Sequence, residues 1–304
     1  MSKKRRERSS ARRIRSIAVA PALLTLLNVI CGFASIHFAA RGMQDADSIW
    51  LERPELNYFA ASAWMIILAM VCDALDGFLA RMTGGTSSFG GQLDSLADII
   101  SFGMAPAFLM LLVVEKRMPE IFHPAGPVFS SIPGKLLWLI AVLYICCAAL
   151  RLARFNVENR QDVEAHLGFS GLPSPAAAGV LASLVLLKED MPNLAQLKED
   201  MPNLIHIGSQ AVIVILPIFT VCVALLMVSR IPYRHLINQY IRGRRHFDHI
   251  VRVVIIMVFL LWQPQLTLAI GFLVFAFSNA VQRVWQLYSR RKQAFTPEPI
   301  KSDK

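Results

Sequence analysis

The chain has 304 residues, 55% of them hydrophobic and 17% charged, with a formal net charge of +10. So large an apolar share, gathered into long runs, excludes an ordinary soluble domain, whose core helices keep one polar face; Leu136 to Leu150 holds no charge at all. The positive charge is also uneven, since Lys3, Lys4, Arg5, Arg6, Arg8, Arg12, Arg13 and Arg15 stand directly before an apolar run. That placement suits anionic lipid and gives no reason to expect nucleic acid.

In chain order, apolar runs predict membrane spans over 17–40, 59–81, 93–114, 136–154, 172–187, 210–228, 249–262 and 266–284. The fold class expected is all-α: a polytopic membrane helix bundle of about eight transmembrane helices, with six as the lower bound. The first run is expected to remain as a span, because it is long for a signal peptide and lacks a small-residue cleavage site. The fifth and seventh runs are short for a full crossing. Gln263-Pro264-Gln265 separates the last two and predicts a tight turn between the arms of a hairpin.

An even number of spans puts both termini on one side. Most of the 31 Lys and Arg then fall on that side, which the positive-inside rule makes cytoplasmic. The expected organisation is a basic cytoplasmic segment (1–16), a membrane domain (17–228), a basic cytoplasmic loop (229–248), a C-terminal hairpin (249–284) and a cytoplasmic tail (285–304). The inner membrane of a cell is the expected location.

The five cysteines, Cys31, Cys72, Cys146, Cys147 and Cys222, all lie in apolar runs without zinc or disulfide spacing, and read as small buried residues. The seven histidines show no ligand spacing either. Leu187 to Leu194 recurs unchanged as Leu197 to Leu204, a duplication too short for a repeat fold and expected in an outer loop.

Charges inside spans are costly and mark function. Asp73 and Asp76 share one helix face, and Asp94 and Asp98 share another. The Gly-rich turn Thr83 to Gly91 lies between the pairs and lets two helices bring all four carboxylates together. Four such charges need a counter-charge. Oxygen ligands without His or Cys suit magnesium or manganese, and two ions would supply phosphoryl-transfer chemistry.

The pattern Asp73-x2-Asp76-Gly77-x2-Ala80-Arg81-x8-Gly90-x3-Asp94-x3-Asp98 resembles the signature of the CDP-alcohol phosphotransferase family. Four further stretches narrow the likeness to the bacterial membrane-bound phosphatidylserine synthases: Pro21 to Asn28, Ser101 to Ala107, Arg151 to Asn156 and Phe169 to Ala177. Ala22 is a departure, since Asn commonly follows the first Pro in those proteins.

The resemblance implies transfer of a phosphatidyl group from CDP-diacylglycerol to L-serine, in a homodimer within the bilayer. It implies Asp73, Asp76, Asp94 and in part Asp98 as ligands of two Mg2+ or Mn2+ ions, and Asp98 as general base. It assigns nucleotide and diphosphate binding to Thr25, Asn28, Asp73, Gly77, Ala80, Arg81 and Gly90. Arg151 and Arg154, three residues apart at a span end, suit an acceptor carboxylate or a phosphate, although simple positive-inside anchoring explains them as well. The signature leaves glycerol phosphate, inositol phosphate and choline open as acceptors. A carboxylate-lined ion or proton transporter is the rival of another class, but it has no use for Gly77, Ala80 and Arg81 at fixed places.

Overall fold

The computed structural model describes residues 3–44, 57–83, 88–122, 132–161, 171–197, 202–231 and 246–294. Every regular element among them is helical: α1 (Lys3–Gln44), α2 (Tyr58–Thr83), α3 (Ser88–Asp98), a π-helical stretch (Ile99–Met104), α4 (Ala105–Phe122), α5 (Ile132–Gln161), α6 (Ser174–Leu197), α7 (Pro202–Val228), α8 (His246–Trp262) and α9 (Pro264–Ala294). From Lys3 the basic N-terminal segment is helical and continuous with the first span. Much of the expected basic loop and tail, Gly84 to Ser87 of the Gly-rich turn, and residues 198–201 of the second repeat copy lie outside the described residues.

Six spans among the described residues are long and apolar enough to cross a membrane: Ala22–Met43, Tyr58–Met82, Phe89–Arg117, Ile132–Val157, Ile207–Val228 and Pro264–Arg283. The chain is therefore a multi-pass helical membrane protein. The third span is composite, running from α3 through the π-helical stretch into α4.

The two runs that are short in the sequence meet different surroundings. The apolar part of α6 ends at Leu187, before Lys188-Glu189-Asp190. Residues 176–186 are nonetheless all buried, packed by α2, α4, α7 and α9. Protein rather than lipid surrounds this helix, and its many small residues (Ala176, Ala177, Ala178, Ala182 and Ser183) allow close packing on several sides. In contrast, α8 has 17 residues, and those from Val254 to Trp262 are exposed on the isolated chain, an apolar surface suited to lipid. It meets α9 at a sharp corner where Gln263 alone is non-helical. The Thr267 hydroxyl fastens that corner, donating to Gln263 O at 2.8 Å and Phe259 O at 3.1 Å.

Helices α1 and α2 pack along their length, with Ser35 and Ser62 hydrogen-bonded at 2.9 Å in the buried seam. At the site end, Gly171 N–H donates to Ile231 O and Leu172 N–H to Leu226 O, which seats the start of α6 on the end of α7. Gly171 has φ 93°, and a Cβ there would lie 3.1 Å from Ser229 O, so a side chain is excluded twice over. At the far end, Asn57 caps α2 by accepting from Ala60 N–H at 2.8 Å and donates to Glu189, which also takes Lys188.

Candidate active site

Asp73 and Asp76 leave α2 one turn apart, and Asp94 leaves the facing α3. Ligand oxygens of these three residues lie within 4.8 Å of one another. Two unit charges at that spacing repel by roughly 3 kcal/mol at an effective dielectric of about 20. Thr25 on α1 offsets part of this, its hydroxyl donating to Asp76 Oδ2 at 2.9 Å in a buried contact. Asp94 Oδ1 is buried without a hydrogen-bond partner. Clustered oxygen donors with an unsatisfied buried oxygen fit a hard divalent cation, and the three carboxylates can hold such an ion.

Asp98 is not one of this trio. It ends α3 one turn beyond Asp94, is 9% exposed, and its Oδ1 is likewise buried without a partner. Immediately after it the chain widens into the π-helical stretch, where Ala105 N–H reaches back to Ile100 O. Such stretches interrupt the regular backbone pairing and are often found at functional sites. Here two side-chain hydroxyls stitch the stretch to neighbouring helices. Tyr144 of α5, fully buried, donates to Phe102 O at 3.1 Å, and Ser101 donates to Asn28 O at 2.9 Å. The Ser101 contact requires α1 to come close, which Gly32 allows: a Cβ there would stand 2.8 Å from Ser101 Cα.

The remaining expected residues gather at the same end of the bundle. Asn28 is wholly buried, and neither polar atom of its amide has a hydrogen-bond partner. Gly77 and Ala80 share the Asp73 face of α2 and are half-buried; Arg81, at the end of that helix, is exposed. Gly90 lies half-buried in the first turn of α3.

On α5, Arg151 and Arg154 are both half-buried. The charges of Asp98 and Asp73 act on Arg151. Its Nη1–H donates to Ser174 Oγ at 2.5 Å, and its guanidinium lies 6.0 Å from the Phe155 ring centre.

Some supporting groups escape a sequence reading. Tyr144, Ser101 and Ser174 look like ordinary polar residues in apolar helices, and Ser95 and Asn156 are joined by hydrogen bonds at 2.9 and 3.3 Å that tie α3 to α5. The one available signal is their place inside or beside the stretches that resemble phosphatidylserine synthases.

Several known proteins are similar to the chain in sequence. The CDP-diacylglycerol–serine O-phosphatidyltransferase of Methanocaldococcus jannaschii is 33% identical over 174 residues, 57% of this chain and 64% of that protein. The protein of the same description from Helicobacter pylori is 31% identical over 168 residues, covering 55% and 57%. The archaetidylserine synthase of Methanothermobacter thermautotrophicus is 33% identical over 178 residues, covering 58% and 61%. The match thus spans less than two thirds of each relative's length. The CDP-alcohol phosphatidyltransferase family matches residues 18–223, from the first span through most of α7 and including the whole aspartate constellation; the chain belongs to that family.

Proposed function

We propose that the protein transfers the phosphatidyl group of CDP-diacylglycerol to L-serine, giving phosphatidylserine and CMP. The observation that carries this reading is the meeting of Asp73, Asp76 and Asp94 at one end of a membrane bundle. Family membership supports the donor, and the names of the relatives support serine as acceptor.

Asp73, Asp76 and Asp94, with Asp98 at the edge, would hold two Mg2+ or Mn2+ ions. When bound, such ions neutralise the diphosphate and polarise the phosphorus under attack. The chain's own residues do the rest. Thr25 orients Asp76. Gly77 and Ala80 leave room for the nucleotide, Gly90 keeps the facing turn small, and Arg81 donates to the diphosphate from its planar fork. Asn28 offers an unpaired amide to a polar group of the nucleotide.

Asp98 accepts the proton of the serine hydroxyl. The hydroxyl oxygen then bonds to the phosphorus bearing diacylglycerol, the bond from that phosphorus to the CMP oxygen breaks, and CMP departs. Arg151 and Arg154 hold the serine carboxylate. The acyl chains stay among the spans. The site and both termini face the cytoplasm of a cell whose inner membrane holds the protein as a homodimer. The family domain fills 17–228, and the hairpin of α8 and α9 is appended to it.

The test is CMP release from CDP-diacylglycerol by purified protein with magnesium, offered serine, glycerol phosphate, inositol phosphate or choline in turn. Serine-dependent release is expected. Release with another acceptor alone would replace serine, and no release with any acceptor would overturn the transferase reading.

A further inference from the structure

A half-buried guanidinium within reach of carboxylate charges ordinarily closes onto them in a two-pronged ion pair. Arg151 does not: among the described residues it forms no direct ion pair with Asp98 or Asp73, although both charges act on it. Its hydrogen bond goes to the Ser174 hydroxyl, and its guanidinium lies over the Phe155 ring at 6.0 Å from the ring centre. Ser174 is wholly buried, so water does not compete for this bond.

A serine hydroxyl has one hydrogen to give and two lone pairs. Ser174 accepts from Arg151 through one of those lone pairs, and the guanidinium, which has five N–H donors, keeps others for a ligand. We propose that Ser174 sets the acceptor specificity as a positioning residue, keeping Arg151 off the aspartates so that its remaining donors receive the carboxylate of an amino-acid acceptor. The inference rests on the proposed serine transfer and names what recognises that acceptor.

The placement accounts for several features together. Arg151 comes from α5, Ser174 opens α6, and Asp98 ends α3, so the groups proposed to meet the acceptor come from three separate helices. In L-serine the hydroxyl and carboxylate sit on adjacent carbons. One group reaches Asp98 while the other meets the Arg151 donors that Ser174 does not take. An amino alcohol without the carboxylate gains nothing from those donors, and a quaternary ammonium is repelled by the guanidinium. Gly171 and the contacts at Leu226 of α7 and at Ile231 just beyond it hold the start of α6 in place, which makes the Ser174 position a property of the fold.

The experiment compares the wild type with Ser174→Ala, Ser174→Cys and Ser174→Thr, measuring CMP release with L-serine and with serinol, which has no carboxylate. Loss of a hydrogen bond to a charged group corresponds to ~10- to 100-fold in affinity. Ser174→Ala is therefore expected to raise KM for serine by about that factor, to leave KM for CDP-diacylglycerol within about twofold, and to narrow the preference for serine over serinol. Ser174→Cys keeps the volume and is expected to behave like Ala, so it decides the matter if Ala does not fold. Ser174→Thr keeps the hydroxyl and is expected to recover the serine KM. An unchanged serine KM in both Ala and Cys, or an equal rise for both substrates, would overturn the inference. Absence of serine-dependent CMP release by the wild type would instead overturn the proposed function itself.

Discussion

Gly77 separates the demands of folding from those of substrate binding. It lies in the middle of α2, where glycine costs about 0.5–1 kcal/mol relative to alanine. A Cβ built at Gly77 meets nothing within 4 Å, so the helix gains by accepting one. Gly77→Ala is accordingly expected to leave thermal unfolding in detergent unchanged or to raise it by roughly 1–3 °C. The added methyl projects about 1.5 Å into the face shared with Asp73 and Ala80, where the nucleotide is proposed to lie. Carbon atoms pack at roughly 3.5–4 Å, so a substrate resting on the Gly77 backbone must shift by about the length of that bond. A misplacement of ~1 Å at a reacting centre costs on the order of 100-fold. The expected result is a protein at least as stable as wild type whose kcat/KM for CDP-diacylglycerol falls by about that factor.

Gly32→Ala is the matching control. Its Cβ would stand 2.8 Å from Ser101 Cα, a backbone atom that has no rotamer to turn away. Overpacking of this kind costs ~1–3 kcal/mol, and displacing Ser101 also endangers its bond to Asn28 O. Stability and activity should therefore fall together at Gly32 and separate at Gly77. Wild-type kcat/KM in Gly77→Ala would refute close approach of the nucleotide, and a lowered unfolding temperature would show that this face of α2 is covered.

Removing divalent metal with a chelator is expected to abolish CMP release, with recovery on adding magnesium or manganese but not calcium, whose looser coordination suits the displacement poorly; full turnover in metal-free protein would refute the metal assignment. Asp98→Asn should lower kcat by roughly 100- to 10,000-fold while CDP-diacylglycerol with magnesium still raises the unfolding temperature. Asp76→Asn should lose that ligand-induced stabilisation as well, because it removes one of the three clustered carboxylates; near-normal turnover in Asp98→Asn would refute its role as base. A thiol label at residue 8 or 301 should react only from the cytoplasmic side and one at residue 193 only from outside, and the reverse pattern would invert the proposed orientation.

Much of the site is legible in the sequence because its chemistry is local. Asp73 and Asp76 must share a face on any helix, and a short turn must return Asp94 to meet them. The class of fold is legible for a similar reason, since long apolar runs have few soluble uses. The π-helical stretch is not legible, because Ile99 to Met104 continues the apolar pattern around it and its fastenings join distant parts of the chain: Tyr144 donates to Phe102 O, and Ser101 donates to Asn28 O. Ser174 and Arg151 belong to the same class of hidden contact: neither residue type indicates the other until α5 and α6 are side by side. Spacing alone puts the four aspartates on two facing helices, and the family resemblance is what sets Asp98 apart from the other three; in the structure Asp73, Asp76 and Asp94 form the close trio, with Asp98 one turn further along α3.

The burial of α6 explains why a helix without any of the signature aspartates bears on their geometry. One end places Ser174 against Arg151 of α5. The other end places Glu189, paired with Lys188, against Asn57, the residue that caps α2. Glu189 and Asn57 are partly buried, and such a polar contact in a low-dielectric setting is costly to break. Asn57 lies about 24 Å along α2 from Asp73 at a rise of roughly 1.5 Å per residue. A helix this long slides as a unit more readily than it compresses, so the clasp at the far end fixes the depth at which Asp73 and Asp76 stand. The same helix fixes Arg151 through Ser174. The proposed donor site on α2 and acceptor site on α5 are thus referred to one buried rod, and their relative depth is set by its length.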